Sequence, residues 1–219
     1  MIPPLPWHEP RHREGPGDRV VLLHGLWRSV WAMEPLAEAL HERGFETLSI
    51  PYPSFRRSLP GIVDHVSRSI PASEKTTHFV THSMGGIVAR CLAREHPASM
   101  TGKVIMLAPP NQGSEIIDWL KDCPLGRYAF GPGGMSLSTT DVRSSVPGFP
   151  PGQDVEVIMG RKPALPLFRF LLEGENDGIV TVESGRLPGD HHFETMDVDH
   201  TFMMGKREVL ERVCQGLSS

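Results

Sequence analysis

Short, continuous apolar runs alternate along this chain with segments in which apolar residues recur at helical spacing. The run at residues 20–23 is followed by a stripe at residues 32–40 that has helical spacing and ends before Gly44. A continuous apolar run is typical of a strand buried on both faces, and a helix between successive strands makes those strands parallel. The alternation therefore predicts an α/β fold with a mostly parallel sheet and helices on both faces.

The predicted strands number about six: residues 20–23, 45–50, 77–81, 104–107, 155–159 and 193–198. Helical spacing places helices at residues 32–40, 62–70, 84–92 and 209–217. Residues 165–173 are also apolar, but their pattern does not distinguish a strand from a helix.

The domain organisation follows from where this rhythm holds. Residues 19–219 are predicted to form one domain, and residues 1–18, rich in Pro, Gly, His and Arg, a loosely ordered arm. The rhythm is interrupted at residues 115–153, where we expect a flap that begins with a short apolar helix at residues 116–120. The Gly-, Pro- and Ser-rich remainder, residues 122–153, is predicted to be a lid, a binding loop or a disordered segment.

Composition excludes several classes of protein. The 219 residues carry a formal net charge of −4, which lacks the basic surface of a nucleic-acid-binding protein. No apolar run approaches the roughly 20 residues of a membrane span, and the first residues have no secretory signal. The cysteines Cys91, Cys123 and Cys214 have neither disulfide nor zinc-site spacing. We therefore expect a cytoplasmic protein that uses no metal or cofactor.

A serine lies where a predicted strand turns sharply into a predicted helix. Residues 81–86 read Thr-His-Ser-Met-Gly-Gly, with Ser83 at the centre. A strand, a tight turn with a central serine and a helix form the nucleophile elbow of serine hydrolases, in which small neighbours are needed. Gly85 meets that need, whereas Thr81 stands where the usual pattern has glycine. The alternative is that Ser83 only caps its helix, because serine is a favoured helix cap.

A serine nucleophile needs a histidine base. In hydrolases built on a parallel sheet, the order along the chain is serine, acid, histidine. His200 follows the last predicted strand and is therefore predicted to be the base. His191 and His192 precede that strand, at the wrong edge of the sheet, and are predicted to lie in a solvated turn.

The base needs an orienting carboxylate that precedes it in the chain. Asp177 lies in an Asn-Asp-Gly turn and is the predicted acid, with Glu175 as the second candidate. Asp197 and Asp199 are too close in sequence to His200 to reach its Nδ1 from a neighbouring strand.

The oxyanion formed during such a reaction needs backbone N–H donors. One comes from the residue after the nucleophile, here Met84, and the second from an early loop after a strand. The sequence His-Gly-Leu-Trp at residues 24–27 follows the first predicted strand, so Leu26 is the predicted second donor. His24 is predicted to brace this loop.

These segments together resemble the α/β-hydrolase family, specifically its small lipases and esterases. The resemblance rests on His-Gly-Leu at 24–26, His-Ser-Met-Gly-Gly at 82–86, Asn-Asp-Gly-Ile-Val at 176–180, Asp-His at 199–200 and Pro-Pro-Asn-Gln-Gly-Ser at 109–114. It covers about residues 19–217. Two departures are Thr81 and the early antiparallel strands of the family, which residues 1–18 are not expected to supply.

The resemblance and the predicted triad imply an esterase or lipase acting on a small-molecule or lipid ester. Thioesterase, amidase and acyltransferase activities use the same triad, and a non-catalytic binding module is an alternative of another class. A membrane-surface protein with exposed tryptophans (Trp7, Trp27 and Trp31) is a third alternative. The residues predicted to bind substrate lie near the oxyanion loop, on the flap and beside the acid: Trp27, Ile116, Trp119 and Ile179. We expect soluble short-to-medium acyl esters as substrates.

Overall fold

The structure, a computed structural model, describes residues 9–164, 168 and 170–218. Its strands are β1 (Arg11–Arg13), β2 (Arg19–Leu23), β3 (Glu46–Ile50), β4 (Thr77–His82), β5 (Val104–Leu107), β6 (Val155–Gly160) and β7 (His192–Met196). They form one sheet in the order β1-β3-β2-β4-β5-β6-β7. β1 is antiparallel to β3, and the other pairs of this sheet are parallel.

Helices lie between and after these strands: α1 (Glu34–His41), α2 (Leu59–Ser69), α3 (Met84–Glu95), α4 (Glu115–Leu120), α5 (Pro124–Met135), α6 (Thr139–Ser145) and α7 (Arg207–Leu217). α1 packs beside α7, and α2 packs beside α3. Within the described ranges, no helix is long and apolar enough to cross a membrane.

The central strands are buried along their whole length, because helices cover both faces of the sheet. Every residue of β2, β3, β5 and β6 is buried. The helix α3 is buried over residues 84–93, so it lies in the interior rather than on the surface. The predicted α/β fold is confirmed, and the predicted strands and helices correspond to β2–β7, α1–α3 and α7 with small differences at their ends.

The strand β1 corrects the expectation of a loosely ordered arm and of about six strands. Arg11 and Arg13 both form ion pairs with Glu34 of α1, and the Arg11 guanidinium lies 4.0 Å from the centre of the Trp31 ring. The sequence Arg-His-Arg carries no apolar signal, because charge pairs rather than apolar burial hold this strand. Residues 1–8, including Trp7, lie outside the described residues.

The flap is more regular than its composition predicts. The expected short helix is observed as α4. Residues 122–153 also contain α5 and α6, so the disordered alternative for this segment is wrong, and its action as a lid or binding loop stays a prediction. The glycines of α5 make close contacts instead of conferring flexibility. A Cβ on Gly133 would lie 2.2 Å from Ser54 O, and Gly131, with φ 60°, bends the helix.

The apolar segment at residues 165–173 lies partly outside the described residues. The described part contains a turn in which Leu171 N–H donates to Phe168 O at 2.8 Å. Residues 165–167 and 169 are not described, so the choice between strand and helix falls outside the structure.

Candidate active site

Ser83 lies in the tight turn between β4 and α3. Its backbone has φ 53° and ψ −122°, a strained conformation for a residue with a side chain. Its N–H donates to Leu107 O at 2.8 Å, which ties the turn to the end of β5. The Ser83 hydroxyl makes no capping hydrogen bond to α3, so its contacts do not support a role as a helix cap alone.

The glycines after Ser83 let this turn approach the sheet. A Cβ on Gly85 would lie 2.5 Å from Leu23 O, and one on Gly86 would meet a side chain of β5 at 2.6 Å. Larger residues would therefore push the turn away from the close-packed strands. Thr81 is fully buried, and its Oγ1 lies 3.4 Å from the same Cβ position on Gly86. Because Gly86 has no side chain, there is room for Thr81 at the position where the usual pattern has glycine.

His200 and Asp177 are joined by two hydrogen bonds. His200 Nδ1 lies 2.7 Å from Asp177 Oδ2, and His200 N–H donates to Asp177 O at 3.1 Å. Because the carboxylate oxygen accepts, Nδ1 carries the proton and Nε2 keeps its lone pair. The other carboxylate oxygen of Asp177 accepts from Ile179 N–H at 3.0 Å and Val180 N–H at 2.7 Å. These bonds fix the carboxylate, and the carboxylate fixes the imidazole tautomer.

The other carboxylates considered from the sequence have different surroundings. Glu175 is exposed, and Asp197 is exposed and pairs with Arg161 at 2.6 Å. Asp199 accepts two N–H groups from the turn that follows it, at 2.9 and 3.0 Å. Asp177, the predicted acid, is thus the one of these four that contacts the imidazole of His200.

His191 and His192 lie at the amino end of the last strand, as the sequence predicts. His192 is exposed at the first position of β7, and His191 precedes it. His191 Nδ1–H donates to Gly189 O at 2.9 Å, within the turn before the strand.

The predicted oxyanion loop forms a turn against Ser83. Arg28 N–H donates to Gly25 O at 3.2 Å, and Trp27 has φ 56°, which is typical of the third residue of a type II turn. A Cβ on Gly25 would lie 3.1 Å from Ser83 Cβ, so the turn and the serine are in close contact. Among the described residues, the Leu26 N–H has no acceptor. The N–H of Met84, the first residue of α3, likewise donates to no described residue.

His24 braces this turn, as predicted. Its Nδ1–H donates to Gly25 O at 2.8 Å, and its Nε2 accepts from Tyr52 N–H at 3.4 Å. The two rings stack with their centres 4.1 Å apart. Burial lowers the pKa of His24 to about 4, although the hydrogen bond to Gly25 raises it. Burial likewise raises the pKa of Tyr52. Both side chains are therefore neutral at pH 7.

His82 contacts His200 and is a residue that the sequence analysis missed. Its Nε2–H donates to His200 O at 2.9 Å, and the two rings lie 4.8 Å apart. The position before the serine in the elbow pattern is unrestricted, so the sequence carries no signal for this contact. No hydrogen bond joins Ser83 Oγ to His200 in the described part of the chain; in free hydrolases this contact is commonly long.

The residues predicted to bind substrate have different environments. Trp27 is half-exposed, and its Nε1–H donates to Ala129 O of α5 at 3.1 Å. Ile116 is buried within the flap. Ile179 contacts the predicted acid directly, because its N–H donates to the Asp177 carboxylate.

Trp119 lies on the outer surface of the flap. Its side chain is 56% exposed and meets the Phe170 ring edge-on, with the ring centres 6.0 Å apart. Among the described residues, no hydrogen bond or ring contact joins it to Ser83, Asp177 or His200. Its binding of substrate remains a prediction.

Among the described residues, one cluster of side chains that could hold a metal ion lies at the opposite end of the sheet. Ligand atoms of Glu156, His192 and Glu194 lie within 4.8 Å of one another at the start of β6 and β7. Arg212 of α7 pairs with both carboxylates, with its Nε 2.7 Å from Glu194 Oε2. The guanidinium is therefore already paired with both carboxylates that a cation would need.

The sequence profile of the Alpha/beta hydrolase family matches residues 20–208. This range is more than half of the chain and includes the turns of Ser83, Asp177 and His200, so the chain belongs to that family. None of the curated proteins searched matches the chain.

Solved structures with lipase and esterase activity share the fold. A lipase from Bacillus licheniformis in its mature form has a TM-score of 0.71 and 19% identity, covering 94% of this chain and 98% of its own. A metagenomic carboxyl esterase has a TM-score of 0.75 and 17% identity, covering 91% and 76%. A monoacylglycerol lipase from Paleococcus ferrophilus has a TM-score of 0.63 and 16% identity, covering 95% and 97%.

Proposed function

We propose that this protein is a serine hydrolase that cleaves carboxylic esters through an acyl-enzyme intermediate. The observation that carries the proposal is the 2.7 Å hydrogen bond between His200 Nδ1 and Asp177 Oδ2. This bond leaves His200 Nε2 as a proton acceptor. His82, the residue before Ser83, donates a hydrogen bond to the backbone carbonyl of His200 and so links it to the turn of Ser83. A strained serine, a histidine and an orienting carboxylate are the parts that serine hydrolases use.

In the proposed reaction, Ser83 Oγ attacks the carbonyl carbon of the ester while His200 Nε2 takes the hydroxyl proton. The carbonyl oxygen becomes an oxyanion, which accepts hydrogen bonds from Leu26 and Met84 N–H. The intermediate collapses, the C–O bond to the alcohol breaks, and the protonated His200 gives its proton to the leaving alcohol. Water, deprotonated by His200, then attacks the acyl-serine and releases the carboxylic acid and free Ser83.

The attachment of the flap supports soluble esters as substrates. Buried Arg90 of α3 donates to Asn111 O at 2.7 Å and to Pro147 O at 2.9 Å, and these carbonyls lie on either side of the three flap helices. Trp27 adds its hydrogen bond to α5. A flap held at both ends and at its middle favours a fixed cleft over a wide opening at an oil surface, so we propose short-to-medium acyl chains.

Exposed apolar side chains favour a second candidate, a lipase that acts on long acyl chains. These side chains lie on or beside the flap and are each more than half exposed: Trp27, Trp119, Leu125, Tyr128 and Phe170. Such residues would contact lipid if the protein worked at an interface.

A chain-length series tests the proposal. Para-nitrophenyl esters from acetate to palmitate are hydrolysed by the wild type, with Ser83→Ala as the control that lacks the nucleophile. We expect the highest kcat/KM for chains of about four to eight carbons and little rise in rate beyond the solubility limit. A sharp rise on emulsified triglyceride would identify the lipase candidate. Hydrolysis of thioesters or amides only, or of none of these substrates, would contradict the ester proposal and favour the thioesterase, amidase or binding-module alternatives.

A further inference from the structure

We propose that His82 is a positioning residue that holds the backbone of His200 at a fixed distance from Ser83. This inference rests on the proposed hydrolase function of the Ser83 site. The contact that carries it is the 2.9 Å hydrogen bond between His82 Nε2 and His200 O, made by the residue that directly precedes the serine.

The tautomer of His82 follows from its partner. A carbonyl oxygen can only accept, so His82 Nε2 carries the proton and donates it. Nδ1 is then a lone pair, and it has no hydrogen-bond partner among the described residues. It faces the oxyanion turn, because a Cβ on Gly25 would lie 2.9 Å from it. The imidazole of His82 thus fills the space between the turn of Leu26 and the loop of His200.

The surroundings of His82 keep it neutral. The residue is 1% exposed. Burial lowers its pKa well below 6.5, and the nearby charge of His200 lowers it further, against the hydrogen bond to His200 O; Arg28 and His24 add smaller contributions in the same direction. A neutral donor suits this position, because a second cation beside His200 would oppose the imidazolium that forms during catalysis.

His200 needs such a support because it lies on a loop rather than on a strand or helix. It follows β7, which ends at Met196, and precedes the helical turn at Met203–Gly205. Asp177 holds its Nδ1 and its N–H from one side. His82 holds its carbonyl from the other side, so the base is fixed relative to the acid and to the nucleophile turn together.

Two substitutions separate the hydrogen bond from the space that the ring fills. The amide nitrogen of His82→Gln reaches about as far as Nε2 and can still donate to His200 O, whereas His82→Met fills similar volume without a donor. We expect His82→Met to lower kcat by about 10- to 100-fold with little change in KM, because displacement of the base affects the chemical step. His82→Gln should recover most of that loss.

His65→Met is the matched control. His65 Nε2–H also donates to a backbone carbonyl, Pro51 O at 3.0 Å, but it lies on α2 and makes no hydrogen bond to Ser83, Asp177 or His200 in the described ranges. We expect its kcat to equal that of the wild type, even if its thermal stability falls as much as that of His82→Met. An equal loss of kcat in the two variants would assign the effect to general destabilisation and overturn the proposal.

Proton NMR of the free protein tests the same contact without a substrate. The His200 Nδ1–H bonded to Asp177 should give a downfield resonance in the wild type and in His82→Gln. In His82→Met we expect that proton to exchange with water at least about tenfold faster, because the loop that holds it is released. An unchanged exchange rate together with unchanged kcat would overturn the positioning role. If the wild type hydrolyses no ester but the exchange rate responds as expected, the hydrolase proposal fails and the positioning of His200 stands.

Discussion

The amino and carboxyl ends of the parallel strands differ in their side-chain charges and in their backbone conformation. At the amino end, charges are paired: Glu46 at the start of β3 accepts from Arg19 Nε at 2.7 Å and from Lys75 Nζ at 2.7 Å. At the carboxyl end, backbones are strained. Within the described ranges, the residues other than glycine that have positive φ all follow a strand there: Trp27, Ser83 and Ala108.

The buried titratable groups show the same contrast. Burial raises the pKa of Glu46, but hydrogen bonds from Lys75, Arg19 and His12 outweigh it, so the pKa is about 2 and the charge is stabilised. His24 and His82 at the carboxyl end are neutral, and burial lowers the pKa of each. Ligands of open α/β sheets bind beyond the carboxyl ends of the strands. The amino end therefore supplies stability, and the carboxyl end holds strain of about 1–3 kcal/mol per strained residue for its geometry.

The largest effect is expected from variants that change only the proposed catalytic side chains at the carboxyl end of the strands. Ser83→Ala and His200→Ala should each lower kcat for ester hydrolysis by at least about a thousandfold, and the double variant should be hardly worse than either, because groups that act as one unit are not additive. Steady-state kinetics of the three variants is the measurement. Losses that multiply in the double variant would argue against a shared serine–histidine mechanism.

A second variant removes only the orientation of the base. Asp177→Asn should keep the fold but lower kcat by about a hundredfold to ten-thousandfold, since an amide favours the wrong imidazole tautomer. Glu175→Gln is the matched control on the same turn and should be close to wild type. The assignment of the acid is wrong if these two results are reversed.

A third variant removes a buried charge at the amino end of the strands and should leave catalysis unchanged. The pKa of Glu46 is about 2 in the folded protein against an ordinary 4.5, so its contribution to stability is complete above about pH 4.5 and is lost as pH falls towards 2. Glu46→Gln should lower the free energy of unfolding by about 3 kcal/mol at pH 7 and by less at pH 3. Urea unfolding at both pH values measures this, and kcat should not change.

The control for Glu46 is an exposed pair. Glu211→Gln removes the partner of Arg207 on the surface of α7 and should cost much less stability than Glu46→Gln, because solvent screens an exposed pair. Equal losses in the two variants, or a loss of kcat in Glu46→Gln, would remove the distinction between the two ends of the sheet.

The smallest effect is expected from two variants that together measure the backbone strain at Trp27. At φ 56°, glycine is more favourable than alanine, so Trp27→Gly should be more stable than Trp27→Ala by about 1 kcal/mol. Both variants lose the same ring contacts with α5, so their difference isolates the backbone. Thermal unfolding that ranks the alanine variant above the glycine variant would show that this turn is not strained.

The sequence predicts a structural feature correctly where that feature depends on a local pattern together with a general rule of the fold. Strand and helix periodicity predicts the sheet, and the order of Ser83, Asp177 and His200 along the chain predicts the contact between the last two. Both predictions depend on local sequence and on a general topology.

The features that sequence reasoning missed depend on contacts between distant segments. The strand β1 is held by pairs with Glu34, and Gly133 serves close packing against Ser54 rather than flexibility. The bond from His82 to His200 joins residues 118 positions apart. No periodicity records such contacts, because each depends on the packing of the whole sheet.

Covalent labelling tests the central claim, that the carboxyl end holds an activated serine. The wild type is treated with a fluorophosphonate, and the adduct is located by mass spectrometry of the intact protein and of its peptides. We predict one adduct per chain, on Ser83, formed at least about a thousandfold more slowly in His200→Ala and at the wild-type rate in Glu46→Gln. An unlabelled wild type, or an adduct on another residue that forms equally fast in His200→Ala, would contradict it.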